Sequence, residues 1–435
     1  MTNTYIPYIY KVQYANVDDI YKDSSVLISS NINQPLFSLG FHSFMHRTIN
    51  AMEITTKLET KNKFYYIVNP FEQTINDYPN DISHIVAEYL SITNNEFISR
   101  SFFKMWEILQ TFNLASKPTM TMVGLAEAPG SFVQAFIKYR EKLYDINKDR
   151  IHVMSIDMQD ARYIDMSEEL LKNTKKYPKL LNIIKTSKLD AGDLTRITTI
   201  NYIKTIFDNE KRYADLITAD GETSRSINNN YSEQESYMLI LGEIITALKI
   251  QAINGSFVLK IFETFTYITI KLIYLLSSFY ENIYIHKPFF SRDTNSEKYI
   301  ICTKFKYDRN KDKTLDKKIT LLEATLNKMD STLFINDIFP KFKLTTAHLN
   351  VFKFTNILFA NKMQIIINKL IVYVKSNNYF GDEYHTYRTN QINASKWWTD
   401  LYLTVAPIAE SFAQIVETTT NYNDSELNLF VSKLL

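Results

Sequence analysis

A chain of 435 residues has room for one large domain with extensions, or for roughly two or three smaller ones. Hydrophobic residues at 45% and charged residues at 22% exclude wholesale disorder, and 49 basic against 47 acidic side chains (net charge +2) exclude a grossly basic coat or an acidic tail protein while allowing a local basic groove. A single cysteine, Cys302, excludes a disulfide framework and a Cys-rich zinc site, and the 7 histidines are dispersed, so a His-based metal site is not expected.

The first residues carry no basic segment followed by an apolar run, so no signal peptide is expected. The longest apolar stretches, near 268–279 and 363–374, contain Lys271 and Lys369 and fall short of the ~20 residues needed to span a bilayer. The expectation is a soluble, intracellular protein of a reducing compartment. Only 8 residues are glycine, and six of them (Gly124, Gly130, Gly192, Gly221, Gly242, Gly255) fall in the middle of the chain. Where glycine is this scarce, those that remain point to a backbone need, so special geometry is expected there.

Residues 1–80 mix short aromatic runs with polar stretches and show no clear period. Residues 82–112 read as helix, with a break near Thr93-Asn94-Asn95, and Lys117-Pro118 punctuates the end. An alternation follows. Strands are predicted at 119–125, 151–156, 181–185, 214–219, 256–262, 282–286 and 298–305. Helices are predicted at 131–142, 193–208, 232–251 and 266–279. Strands alternating with helices imply an α/β fold with a parallel sheet, and the helix-free connection between the last two strands implies an antiparallel pair. A charged linker covers 304–318, and residues 319–435 read as mainly helical, with 355–375 the longest amphipathic candidate.

Five features carry chemistry. Glu127-Ala128-Pro129-Gly130-Ser131-Phe132 lies at a strand–helix junction, where a glycine turn and a helix N-terminus suit a nucleotide-like ligand. Asp157, Asp193 and Asp220 each fall at or just beyond the end of a successive strand. Each alone is most simply a helix cap or loop residue, but three at one sheet edge can hold ribose hydroxyls, an adenine amino group and a cationic centre. Lys260 stands inside an otherwise apolar strand, where a charge needs a reason. A lysine snorkelling from a sheet edge is one; a general base with lowered proton affinity is the other. Glu297 opens the last strand, and Lys104 lies on the helix before the first. Either alone reads as a solvated surface charge.

In order and spacing, Lys104, the Ala128-Pro129-Gly130 loop, Asp220, Lys260 and Glu297 resemble the Lys-Asp-Lys-Glu tetrad and cofactor loop of the FtsJ-like ribose 2′-O-methyltransferases. Glu127–Gly130, with Phe103-Lys-Met-Trp-Glu-Ile108 before it, is similar to the cap methyltransferases of eukaryotes and of large cytoplasmic DNA viruses. The resemblance covers 96–306. It implies a Rossmann-like core with a mixed seven-stranded sheet in the order 3-2-1-4-5-7-6, the last strand antiparallel. An N-terminal extension (1–95) with possible RNA or cap contacts and a mainly helical C-terminal extension (307–435) would flank it.

The resemblance further implies S-adenosylmethionine as cofactor, held by Ala126, Glu127, Ala128, Pro129, Gly130, Ser131, Phe132, Asp157, Asp193 and Asp220, with no metal. It assigns catalysis to Lys104, Asp220, Lys260 and Glu297. The implied substrate is RNA, at the capped 5′ end of mRNA, with other capping enzymes as possible partners and no membrane. Methylation of internal rRNA or tRNA sites, and an inactive RNA-binding relative, are the alternatives. Two positions depart from the family pattern: Gly124 stands where many relatives have an acid, and Ser131 where they have a second loop glycine. Glu127 is a candidate to replace the missing acid. The aromatics outside the core (Tyr8, Tyr10, Phe37, Phe41, Phe64, Tyr65, Tyr66, Tyr379, Phe380, Tyr384, Trp397, Trp398) could stack on a methylated guanine, although core packing is the simpler role for any one of them.

Overall fold

The computed structural model describes residues 8–12, 17–31, 36–56, 68–71, 82–93, 96–156, 165–177, 180–186, 190–223, 231–309, 311–376 and 381–403. The alternation read from the sequence becomes seven strands: β3 (Thr121–Leu125), β4 (Arg150–Val153), β5 (Leu181–Ile183), β6 (Ala214–Ala219), β7 (Gln251–Ile261), β8 (Tyr280–Lys287) and β9 (Lys298–Phe305). They lie in the order β5-β4-β3-β6-β7-β9-β8. All neighbours from β5 to β7 run parallel, and β9 is antiparallel to both β7 and β8. This is the order and the reversal expected. The sheet has eight strands rather than seven, because β1 (Tyr8–Lys11) adds antiparallel to the β8 edge. That strand is too short to show a period in the sequence.

Residues alternate between the two faces, as a pleated strand requires. Val123, Ile217, Phe257 and Leu259 pack on one face with α7 (Ile197–Glu210), α9 (Tyr237–Ile250), α10 (Tyr267–Leu276) and α11 (Thr314–Leu326). Met122, Leu216, Val258 and Tyr299 pack on the other with α4 (Ser101–Thr111) and α5 (Ser131–Leu143). Lys260 shares the parity of Val258, which aims it toward the α4 face.

Buried polar pairs fix the helices. Arg140 of α5 forks onto Asp149, with Nε–Oδ2 at 2.6 Å and Nη2–Oδ1 at 2.9 Å, and also donates to the carbonyls of Ala115, Lys117 and Pro118. Asp149 in turn accepts from the Met120 amide, so one ion pair sets the approach to both β3 and β4. Thr266 caps α10, its hydroxyl accepting from the Thr269 amide.

The extensions are woven into this body. The N-terminal segment supplies β1, β2 (Val26–Ser29), α1 (Leu39–Asn50), the single turn α2 (Glu53–Thr56) and α3 (Ile82–Leu90). The C-terminal segment is helical as expected through α11, α12 (Thr346–Ser376) and α13 (Asp382–Tyr402), but it also contains a strand that the sequence did not suggest. That strand, β10 (Phe334–Ile338), pairs antiparallel with β2, and Lys271 of α10 secures it by donating to Asp337 Oδ1 at 2.6 Å and to the Ile338 carbonyl at 2.9 Å. The apolar stretch judged too short to span a bilayer is part of a 31-residue helix, α12, which is long and apolar enough to do so by composition. In this fold it buries Phe352, Phe354, Phe359, Met363 and Ile367 in the body of the protein.

Candidate active site

The sheet gathers most of the candidate site residues at the carboxyl ends of its parallel strands. After β3, Ala126 takes a left-handed conformation (φ 51°), and Glu127-Ala128-Pro129 leads to Gly130 (φ 108°) at the N-terminus of α5, with a cis bond between Ala128 and Pro129. Hydrogen bonds stitch this turn to its neighbours. The Glu127 amide donates to Met154 O beyond β4 (3.0 Å), and the Asp220 amide to Leu125 O (3.2 Å). Gly130 is needed for its positive φ and for a neighbour. A Cβ there would lie 2.3 Å from Leu170 Cδ2 of α6 (Glu168–Lys176). The space a side chain would occupy at Gly130 is thus filled by Leu170.

Glu127 fills another such space. A Cβ on Gly124 would sit 3.0 Å from Glu127 Cγ, so the missing side chain at the end of β3 admits the glutamate. Its Oε1 accepts from the Phe132 and Val133 amides at 2.8 and 3.1 Å, capping α5 from within. Burial pushes the Glu127 carboxyl up to about 8, and the nearby Asp220 adds to the shift against the pull of those two amides.

Asp220 follows β6 directly, and Asp193 lies in the turn between β5 and α7. Asp193 spends Oδ1 on the amide and hydroxyl of Thr195 (2.9 and 2.7 Å), and its Oδ2 lies 3.4 Å from Arg196 Nε. It therefore closes a local turn ahead of α7, its carboxylate bonded two residues on. Asp157 lies outside the described residues.

The four candidate catalytic side chains form two ion pairs, Lys104–Glu297 buried on both sides and Lys260–Asp220 with the aspartate partly exposed. Lys104 reaches across from α4 to hold Glu297, with Nζ at 2.7 Å from Oε1 and 2.9 Å from Oε2. It is buried, contrary to the solvated role its helix suggests. Lys260 Nζ lies 3.2 Å from Asp220 Oδ1 and 4.0 Å from Glu222 Oε2. Burial would lift the Glu297 carboxyl, but Lys104 and Lys260 together bring it down to about 2. Asp220 is shifted upward by burial, against the attraction of Lys260 and Lys104.

Lys260 runs against expectation. Burial favours its neutral form, yet Asp220, then Glu297 and Glu222, more than offset this and raise its proton affinity above that of an ordinary lysine. In the free protein it is an ammonium. The sequence showed a lysine in an apolar strand but not the carboxylates that would surround it.

Three contributors were not singled out from the sequence. Glu243 of α9 is buried beneath the Gly221 turn and pushed up to about 8, mainly by burial and against the pull of Lys260. Tyr299 is the cross-strand neighbour of Lys260 and packs its ring 5.7 Å from Phe132. Lys287, at the end of β8, donates to Ser291 Oγ and to the carbonyls of Asn295 and Glu297, which fixes the loop presenting Glu297. Helical spacing could have drawn attention to Glu243, an acid within an otherwise apolar run. Beside Lys260 opens a cavity of about 140 Å³, lined by Glu222, Glu233, Ser236, Glu243, Phe262 and Ser296 among others.

Several aromatics offered for cap stacking are core residues. Tyr10 packs on Phe354 and Phe359, and Trp398 is fully buried against Phe103 and Phe290. Phe64, Tyr65, Tyr66, Tyr379 and Phe380 lie outside the described residues.

Residues 97–305 match the family model of the FtsJ-like methyltransferases. Over 253 residues the chain is 25% identical to a cap-specific mRNA (nucleoside-2′-O-)-methyltransferase 2 of Drosophila melanogaster, covering 58% of this chain and 36% of the relative. Over 203 residues it is 28% identical to a cap-specific mRNA (nucleoside-2′-O-)-methyltransferase 1 of Trypanosoma cruzi, covering 46% of this chain and 52% of the relative. A mouse cap-specific mRNA (nucleoside-2′-O-)-methyltransferase 1 is 36% identical over 113 residues, 26% of this chain and 14% of the relative. The chain thus spans about a third to a half of the length of the first two relatives.

Proposed function

We propose that the chain, whose residues 97–305 match the FtsJ-like methyltransferase family model, transfers a methyl group from S-adenosylmethionine to a ribose 2′-hydroxyl of RNA, at a cap-proximal nucleotide of mRNA. The observation that carries this reading is the set of two ion pairs, Lys104–Glu297 and Lys260–Asp220, at the carboxyl edge of the sheet. The cap-specific names of the relatives support the choice of substrate. Such a substrate places the protein where transcripts are capped and makes RNA its binding partner.

The cofactor fits the residues present. Asp220 Oδ1 is buried and, apart from the charge of Lys260, has no aligned hydrogen-bond donor, so it retains acceptor capacity for a cation. Ala126–Phe132, Asp157, Asp193 and Asp220 would hold S-adenosylmethionine, which supplies an electrophilic methyl on a sulfonium.

The remaining work falls to the chain's own side chains. A ribose hydroxyl is a poor nucleophile at neutral pH. Lys260, which lines the cavity, can hydrogen-bond its oxygen and, once deprotonated, take its proton. Asp220 is the largest electrostatic hold on the Lys260 proton, so a cation sharing Asp220 would weaken that hold. Glu297 is kept ionised by Lys104 and holds that second ammonium in place, and its charge also acts on Lys260. Alignment of the two substrates supplies much of the rate.

The test compares 2′-O-methylation of one transcript in capped and uncapped forms by the full chain. Methylation confined to the capped form supports the proposal. Equal methylation of both forms would instead favour an internal-site enzyme, and no transfer to either, despite folded protein, would remove the enzymatic reading.

A further inference from the structure

Away from the cofactor edge, three buried side chains converge on one point. His42 and His46 stand one turn apart on α1, on the same helix face. Glu263 approaches from the segment that follows β7. His46 Nε2 lies 3.1 Å from Glu263 Oε1, and His42 Nε2 lies 3.7 Å from Glu263 Oε2. One potential ligand atom from each residue lies within 4.8 Å of the other two. All three residues are buried, with 4%, 4% and 5% of their surface exposed.

Hydrogen bonding accounts for only part of this arrangement. The His42 distance is too long for a hydrogen bond. His46 Nδ1 is buried without a partner, so the polar engagement of that ring is through Nε2 alone. Atoms bound to one tetrahedral zinc at 2.0–2.2 Å are separated by roughly 3.3 Å, and the two histidine–carboxylate distances, 3.1 and 3.7 Å, lie on either side of that value. Two imidazoles and one carboxylate form a ligand set that zinc accepts, leaving a fourth position for water.

The surrounding charge also favours a cation. Glu233 lies close enough to Glu263 for their charges to repel, and Lys298 is the ammonium that faces both. Lys298 is already engaged with the carbonyls of Phe262 and Ser296. Two buried carboxylates against one ammonium leave a negative excess that a divalent cation would offset.

We propose that His42, His46 and Glu263 bind a zinc ion that fastens α1, from the N-terminal extension, onto the chain segment three residues beyond Lys260. The dispersed histidines had argued against such a site. The i, i+4 spacing was present in the sequence, but the third ligand lies 217 residues from His46 and is brought in only by the fold.

The full-length chain should carry ~1 zinc per molecule by plasma mass spectrometry after dialysis against trace metal, and should bind Co²⁺ with the intense visible absorption of a tetrahedral site. Chelation should lower the melting temperature, and added zinc should restore it. His46→Gln and Glu263→Gln, checked for folding by circular dichroism, should each lose the stoichiometric zinc and the restoration. Substoichiometric zinc in folded wild type after zinc addition, or zinc content unchanged in folded His46→Gln, would overturn the proposal. Either result would leave a histidine–carboxylate cluster that only packs. Because the readouts are metal content, absorption and melting, they do not depend on methyl transfer.

Discussion

At the scale of single residues, the charge state of Lys260 can be measured. Lys260 is held as an ammonium by Asp220, Glu297 and Glu222 in the free protein. If it must lose a proton to accept one from the ribose, kcat/KM should still be rising at about pH 9, because that quantity reports the free enzyme. Lys260→Ala should lower turnover by ~10²–10⁴-fold with S-adenosylmethionine affinity nearly unchanged. Lys260→Arg should fail almost as badly, since a guanidinium does not deprotonate. Near-normal methylation by Lys260→Arg, measured by mass spectrometry of the RNA product, would leave Lys260 only a positioning charge.

Two buried acids make a second residue-scale prediction. Glu127 and Glu243 are both pushed up to about 8, chiefly by burial. An acid whose folded pKa exceeds its unfolded value stabilises the fold fully below the unfolded pKa and loses that contribution as pH rises through the folded one. The urea midpoint should therefore decline between about pH 5 and pH 8. Glu127→Gln and Glu243→Gln mimic the protonated side chains and should each flatten that decline. Glu297 acts in the opposite sense. Its carboxyl is brought down to about 2, so its stabilisation is present above the unfolded pKa and is lost on acidification toward pH 2.

At the scale of elements, α5 is held by chemistry at both ends. Its first turn is capped by Glu127 and entered through Gly130, and its later turns are anchored by Arg140 on Asp149. Asp149→Ala would leave a buried guanidinium without its counter-charge, which should cost about 3–5 kcal/mol by urea unfolding. Gly130→Val would combine a strained positive φ with a clash against Leu170, so its melting temperature should fall even without ligand. Unaltered melting for Gly130→Val, with only cofactor binding lost, would show that the glycine serves the ligand after all.

At the scale of the whole molecule, the stretch 97–305 that matches the family model is not an independent core. The large cluster on one sheet face joins Ile217 and Leu259 to Tyr10, Val12 and Ile20 before the domain and to Leu315, Leu322 and Phe352 after it. The opposite cluster joins Trp106 and Phe136 to Ala394, Trp398 and Tyr402, and the Trp106 indole donates to the Tyr402 carbonyl at 2.9 Å. β1 also covers the backbone edge of β8, which would otherwise be open to pairing with another chain. A fragment limited to 97–305 should therefore bind a hydrophobic dye and aggregate, whereas the full chain should not. A monodisperse, cooperatively unfolding fragment on size-exclusion chromatography and calorimetry would contradict this.

The sequence by itself determined what is encoded between near neighbours. The alternation of strands and helices, the turn at Ala126–Ser131 and the antiparallel closing hairpin are legible there, because periodicity and turn chemistry are local properties, whereas the set Lys104, Asp220, Lys260 and Glu297 was legible only through its resemblance to a family's motif order. Tertiary structure decided what depends on distant partners. It joined Lys104 to a glutamate 193 residues away. It raised rather than lowered the proton affinity of Lys260, and it placed Glu243 under the site. Short strands such as β1 and β10 exist only because an edge was available to pair with, one on β8 and the other on β2. The charge state of a buried group is the sum of its desolvation and of all neighbouring charges, and those neighbours are chosen by the topology of the sheet, not by adjacency along the chain.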